Sequence, residues 1–134
     1  MTCKDKVALV TGAAGGGMGR SIALTLAREG AAVVVNYRAS ADSAKDIVAH
    51  IKGRGGRALA VQADVFLADD CKRLVAATIE EFGRVDICVI GPGAGWHPAP
   101  ADALDVPAAL ADAHQELAPL YNLMPLVLPG MYER

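Results

Sequence analysis

Apolar residues along this chain follow two alternating periods. Four short runs, "KVALV" (6–10), "AAVVVNY" (31–37), "RALAVQ" (57–62) and "VDICVI" (85–90), are apolar nearly throughout and rich in β-branched residues, so they read as strands. A strand with no polar face needs cover on both sides, which is the condition of a parallel sheet between helices. Between the runs the period becomes helical. Ile22, Leu26 and Ala27 form one stripe, and Ala44, Ile47, Val48 and Ile51 a second. Cys71, Leu74, Val75, Thr78, Ile79 and Phe82 form a third. Gly30, Gly53 and Gly83 follow these stripes where a left-handed cap residue is wanted. Strand and helix alternate with short joints, which predicts an α/β fold: a doubly wound parallel sheet of about four strands with flanking helices.

The final third is less regular. "GPGAGWHPAPADALDVP" (91–107) is a long Gly/Pro/Ala loop, expected beside a ligand. "AALADAHQELAPLYNLMPLVLPGMYER" (108–134) reads as helix. Pro119 and Pro125 would each cost about 3 kcal/mol inside it, so a kink or break is expected there.

Composition narrows the class. A chain of 134 residues holds one core, and 53% hydrophobic with 4% aromatic content makes it globular, packed by aliphatic side chains. A net charge of −2 without a long Lys/Arg block gives no general attraction for nucleic acid or an anionic membrane. The uncharged stretch 117–131 contains Pro119, Pro125 and Pro129 and is shorter than the roughly 20 residues of a spanning helix, so no membrane anchor is expected. Cys3, Cys71 and Cys88 form no CxxC pair, and the start lacks an apolar signal-like core. A reduced, cytoplasmic setting follows as the expectation, with no metal site.

The candidate chemistry sits in "TGAAGGGMGR" (11–20), between the first strand and the first helix. Backbone without Cβ atoms approaches a ligand closely, and the amides of a helix N-terminus together carry about half a positive charge. The combination suits a phosphate or pyrophosphate, and a side chain at Gly17 or Gly19 would occupy its space. A plain turn is the alternative. The surrounding βαβ pattern favours dinucleotide binding.

"TGAAGGGMG" resembles the TGxxxGxG loop of the short-chain dehydrogenase/reductase family. Further matches follow in family order: "NYRAS", "GGRALAVQADV", "VDICVIGPGAG" and "LPGM". They span essentially the whole chain. The resemblance implies a Rossmann-like fold, incomplete at its C-terminal side, with residues 1–134 forming a single NAD(P)-binding domain. It implies a pyrophosphate loop of Gly12, Gly17, Met18 and Gly19, and cofactor contacts from Asn36, Tyr37 and Arg38 after strand two. Asp64 and Val65 would border the adenine, with a plain turn role for Asp64, capping the third helix, left open; Gly91, Pro92 and Gly93 would lie by the ribose. A carboxylate at the end of strand two would select NAD. Asn36 stands there, and Arg38 can bind a 2′-phosphate through charge-assisted bonds, so NADP is favoured over NAD.

Three departures from the family pattern matter. Four residues, Ala13 to Gly16, separate Gly12 from Gly17 where the family has three. Ile90-Gly91-Pro92-Gly93 replaces the family's Asn-Asn-Ala-Gly, removing a polar anchor; of the residues that follow, His97 reads as a surface group. The family's relay Asn falls on Glu116, and neither Tyr121 nor Tyr132 has a Lys four residues on. No catalytic residue is therefore assigned. The expectation is the nucleotide-holding portion of an NADP(H)-dependent oxidoreductase that acts on a carbonyl or alcohol, inactive by itself and truncated at the C-terminus. Its partners would be the dinucleotide and a small-molecule substrate, and an exposed "VDICVI" edge would promote homo-oligomers. A non-catalytic dinucleotide-binding or sensor module is the alternative, and a shortened product with no binding role stays open.

Overall fold

The computed structural model describes residues 1–91 and 98–134. Pro92, Gly93, Trp96 and His97 lie outside the described residues. The strands are β1 (Val7–Val10), β2 (Ala32–Tyr37), β3 (Ala58–Gln62) and β4 (Ile87–Val89). The helices are α1 (Met18–Arg28), α2 (Ala41–Gly53), α3 (Ala68–Phe82) and α4 (Val106–Tyr132), with a 3₁₀ turn at Ala101–Ala103.

The pleat explains the apolar runs. Ala8, Val10, Val33 and Val35 enter one buried layer with Ala23 of α1 and Ala44, Ile47 and Ile51 of α2. Leu9 and Val34, one residue out of phase, enter a second layer with Cys71 and Leu74 of α3 and Leu123 and Val127 of α4. Each fully buried Leu or Ile side chain contributes about 1.5–3 kcal/mol by leaving water, so both faces are held firmly. All four strands are parallel in the order β3-β2-β1-β4. The chain winds outward from β1 to β3, then returns past β1 to add β4. That reversal is a switch point, beside which ligands of open α/β sheets bind at the carboxyl ends of the strands. The fold is Rossmann-like.

Two local expectations need correction. Gly30 (φ +96°) and Gly83 (φ +80°) are left-handed as expected, but Gly53 is the last helical residue of α2 and Gly55 (φ +81°) takes the left-handed position. Two more turn residues are needed before the chain can enter β3. Of the kink or break expected at Pro119 and Pro125, the break is not found: α4 is one continuous helix with Pro119, Pro125 and Pro129 inside it, and it starts at Val106, two residues early. Asp105 caps it by accepting from the Ala108 N–H at 3.1 Å. Each proline removes one helical donor, but Pro119, Leu123 and Val127 are buried, and tertiary burial overrides propensity.

Candidate nucleotide-binding site

The site begins where β1 stops. Gly12 has φ +60°, a left-handed turn that a β-branched residue would resist. Its N–H donates to Asn36 Oδ1 at 3.2 Å, and Ala13 N–H donates to the Asn36 carbonyl at 2.9 Å. The following residues separate into two kinds. Ala13 and Ala14 are buried, whereas Gly15, Gly16 and Gly17 are exposed. A Cβ at Gly16 or Gly17 would meet nothing within 4 Å. Gly17 is the N-cap of α1, and no side chain satisfies the first helical N–H groups. An uncapped helix start behind an open glycine loop fits a pyrophosphate.

Gly19 has a different reason to be glycine. Its Cβ would lie 2.9 Å from the Gly12 carbonyl oxygen and 3.1 Å from Ala13 Cα. It lets α1 close against the loop itself, a packing reason that stands beside the expected one of leaving room for phosphate.

Asn36 is 2% exposed, and its amide is consumed by backbone. Besides the Gly12 bond, Nδ2 donates to the Ala63 carbonyl at 3.1 Å and the Val61 carbonyl at 3.3 Å. One neutral side chain therefore ties the glycine loop to the end of β3. Thr11 performs a similar task toward β4. Its hydroxyl donates to the Val89 carbonyl at 3.1 Å and accepts from the Gly91 N–H at 3.0 Å. Thr11 thereby supplies a polar link at strand four, where the altered motif had suggested none. A Cβ on Gly91 would lie 3.3 Å from the Thr11 carbonyl oxygen.

A cleft of about 240 Å³ opens at the carboxyl ends of β1, β2 and β3, bringing together Gly12, Asn36, Tyr37, Arg38, Asp64 and Val65. Gly15, Ser40 and Phe66 also line it. Gly17, Met18 and Gly19 belong to the adjoining helix start, Met18 being 82% exposed, and Gly91 sits across Thr11. Asp64 Oδ1 accepts from the Phe66 N–H at 3.0 Å, closing a tight turn, and the Asp64 N–H donates to Asp70 Oδ2 at 2.8 Å. The Asp64 N–H, and then Arg73, hold the Asp70 carboxyl below its ordinary range. The N-cap of α3 is Leu67, so Asp64 shapes a turn and does not cap the helix. Val65 is buried, and its carbonyl accepts from Asn122 Nδ2 at 3.1 Å, so α4 braces the cleft wall. Arg38 is exposed, and its guanidinium has no partner among the described residues.

Sequence reasoning assigned no role to Thr11, Ser40 or Asn122. The one local signal for Thr11 and Ser40 is position, Thr11 directly after an apolar strand and Ser40 directly before a helix. Asn122 had no local signal. Glu116, Tyr121 and Tyr132 lie exposed on α4 and do not line the cleft. Among the described residues no three potential metal ligands cluster, and no helix is long and apolar enough to cross a membrane.

With this geometry, residues 6–134 match the short chain dehydrogenase profile. The chain belongs to the short-chain dehydrogenase/reductase family, whose members are oxidoreductases that bind a nicotinamide dinucleotide. It is 50% identical over 90 residues to an uncharacterized oxidoreductase of Methylorubrum extorquens, covering 67% of this chain and 36% of that protein. It is 46% identical over 89 residues to the 3-oxoacyl-[acyl-carrier-protein] reductase FabG of Staphylococcus epidermidis, covering 66% and 36%. A 7α-hydroxysteroid dehydrogenase solved with NADH and 7-oxo glycochenodeoxycholic acid superposes with a TM-score of 0.82 at 33% identity. That match covers 98% of this chain and 50% of the other. A Serratia marcescens short-chain dehydrogenase/reductase double mutant gives 0.85 at 29% identity, covering 98% and 53%. The matched region is thus about a third to a half of the relatives' length.

Proposed function

We propose that this chain holds NADP(H), and that it does so as part of an oxidoreductase acting on a carbonyl or alcohol. The observation behind the cofactor choice is the rim of the cleft. Arg38 keeps an unpartnered guanidinium beside Ser40, whose hydroxyl leaves the start of α2 uncapped. A 2′-phosphate placed there meets a cation, a hydroxyl and helix N–H groups, and no carboxylate occupies the end of β2 to repel it. Gly12, Gly17, Met18 and Gly19 would hold the pyrophosphate by backbone, Asp64 and Val65 would flank the adenine, and Gly91, Pro92 and Gly93 would border the nicotinamide ribose. In this reading Asn36 and Tyr37 shape the floor, Asn36 through backbone only. The bound nicotinamide supplies or accepts the hydride. No Tyr in these residues has a Lys four positions on, so we assign them nucleotide binding without turnover. Three free thiols, two of them pushed by burial up to about 11, fit a reduced cytoplasmic setting.

The test is a fluorescence titration of NADPH and NADH against wild type and Arg38→Asp. A charged hydrogen bond of about 1.5–3 kcal/mol predicts a preference for NADPH of roughly 10–100-fold in wild type, lost in the variant. Equal affinities in wild type would remove the assignment. A nucleotide sensor without chemistry is the second reading, favoured by Glu116 at the family's relay position. Steady NADPH oxidation with a panel of carbonyl compounds would refute both that sensor and the inactivity of this chain.

A further inference from the structure

A larger cavity lies at the other end of the sheet. It measures about 640 Å³ and opens where the chain enters β1, β2 and β3 and leaves α1 and α2. Its lining is strongly one-sided in charge. Lys4, Arg28, Arg54 and Arg57 face a single acid, Asp5, with the His50 ring beside them. Arg28 has a distant carboxylate partner, Glu29 at 3.7 Å, and Arg57 lies over the Phe82 ring at 5.7 Å. Lys4, His50 and Arg54 have no side-chain partner among the described residues.

Basic residues after a helix often serve only its terminal carbonyls. Here the Leu26, Ala27, Ile51 and Lys52 carbonyls are already taken by backbone. Ala31 N–H donates to Leu26, Gly30 to Ala27, Gly55 to Lys52, and both Arg54 and Gly56 to Ile51. Those four carbonyls therefore do not depend on the cations. The walls are also shaped by close packing. A Cβ on Gly56 would lie 2.7 Å from Ile51 Cγ2, and one on Gly30 would lie 3.1 Å from Lys4 Cα. Beneath the charges, Leu24 and Ile51 give an apolar floor.

We infer that this cavity is a second anion site, distinct from the nucleotide cleft, for an organic phosphate with a compact apolar body. Arginine forks and an ammonium suit the phosphate's dense negative charge, and the floor suits the body. The volume lies in the roughly 300–1,000 Å³ range of small-molecule sites.

The experiment is a ¹⁵N NMR titration of the 134-residue chain with phenyl phosphate, with inorganic phosphate and benzyl alcohol as separate arms. Phenyl phosphate should move the amides of Gly30, Ile51, Gly55 and Gly56 saturably and leave Gly12 and Gly15 unmoved. Each half-ligand alone should bind about tenfold more weakly or worse. The exposed double variant Lys4→Glu/Arg54→Glu should weaken phenyl phosphate by about tenfold or more, with its circular dichroism unchanged, while Arg38→Asp leaves this binding intact. Shifts confined to the glycine loop, no saturation at Gly30, Gly55 and Gly56, or equal affinity in the double variant would each overturn the inference.

Discussion

The two ends of the sheet are built on opposite principles. At the carboxyl end, strands and loops are joined by neutral groups: Asn36 across β1, β2 and β3, and Thr11 across β1 and β4. At the amino end, β1 and β4 are joined by charge. Asp86 is 9% exposed at its side chain; it accepts from the Val7 N–H at 2.9 Å and from Arg84, and Arg134 lies 3.6 Å away. The difference suits what each end has to leave open. A carboxylate in the place of Asn36 would compete with a phosphate for the loop amides, whereas a neutral amide fixes the same backbone and leaves the field to the ligand. The amino end faces no such demand beside β4 and holds its strands with an ion cluster.

The largest predicted effect tests the neutral hub. Asn36→Leu keeps the volume close but strips partners from the Gly12 N–H and the Val61 and Ala63 carbonyls. Each buried unsatisfied group costs about 1–3 kcal/mol, so a loss of about 3–4 kcal/mol in urea unfolding is expected. A loss below about 1 kcal/mol would mean that water reaches these groups and the hub is not structural.

Next comes the division within the glycine loop. Gly19→Val forces a Cβ against rigid backbone and should cost about 2–3 kcal/mol of stability. Gly17→Ala enters open space and should change stability by less than about 0.5 kcal/mol while weakening NADPH binding at least severalfold. Equal losses of stability in the two variants would erase the distinction between a packing glycine and a ligand-facing one.

These contrasts also mark how much was readable in the chain itself. The strands were legible because Leu9 and Val34 interrupt the phase of Ala8, Val10, Val33 and Val35, and a strand apolar in both phases has only one home. The glycine loop and Arg38 were legible from their place between strand and helix. The direction of Asn36 was not. Its partners lie 24 to 27 residues away, and a local pattern cannot say whether an amide at a strand end turns outward to ligand or inward to backbone. Asn122 bonds to Val65 across 57 residues and was invisible for the same reason. Helix α4 misled because proline propensity is local, while the burial of Pro119 and Leu123 is not.

The smallest predicted effect probes the charged end through pH. Burial alone would raise the Asp86 pKa, but the hydrogen bond from Arg84, the Val7 N–H and the charges of Arg84 and Arg134 outweigh it and hold the carboxyl below its ordinary range. A depressed folded-state pKa means that the unfolded chain takes up the proton first as pH falls. The stabilisation is therefore complete above the ordinary Asp value of about 3.9 and disappears as pH drops through the lower folded value. Asp86→Asn removes the charge and retains an oxygen that can accept from Val7. Near neutrality it should cost about 1–2 kcal/mol, in the range of a hydrogen bond to a charged group. The gap between wild type and variant should close progressively below about pH 4, because wild type loses the charge that the variant never had. Asn36 has no charge to lose, so Asn36→Leu should show the same deficit across that range wherever both proteins remain folded. Unfolding midpoints in urea from pH 3 to 7 distinguish the two. A gap for Asp86→Asn that stays constant with pH would show that the amino end, like the carboxyl end, is held by hydrogen bonding and not by charge.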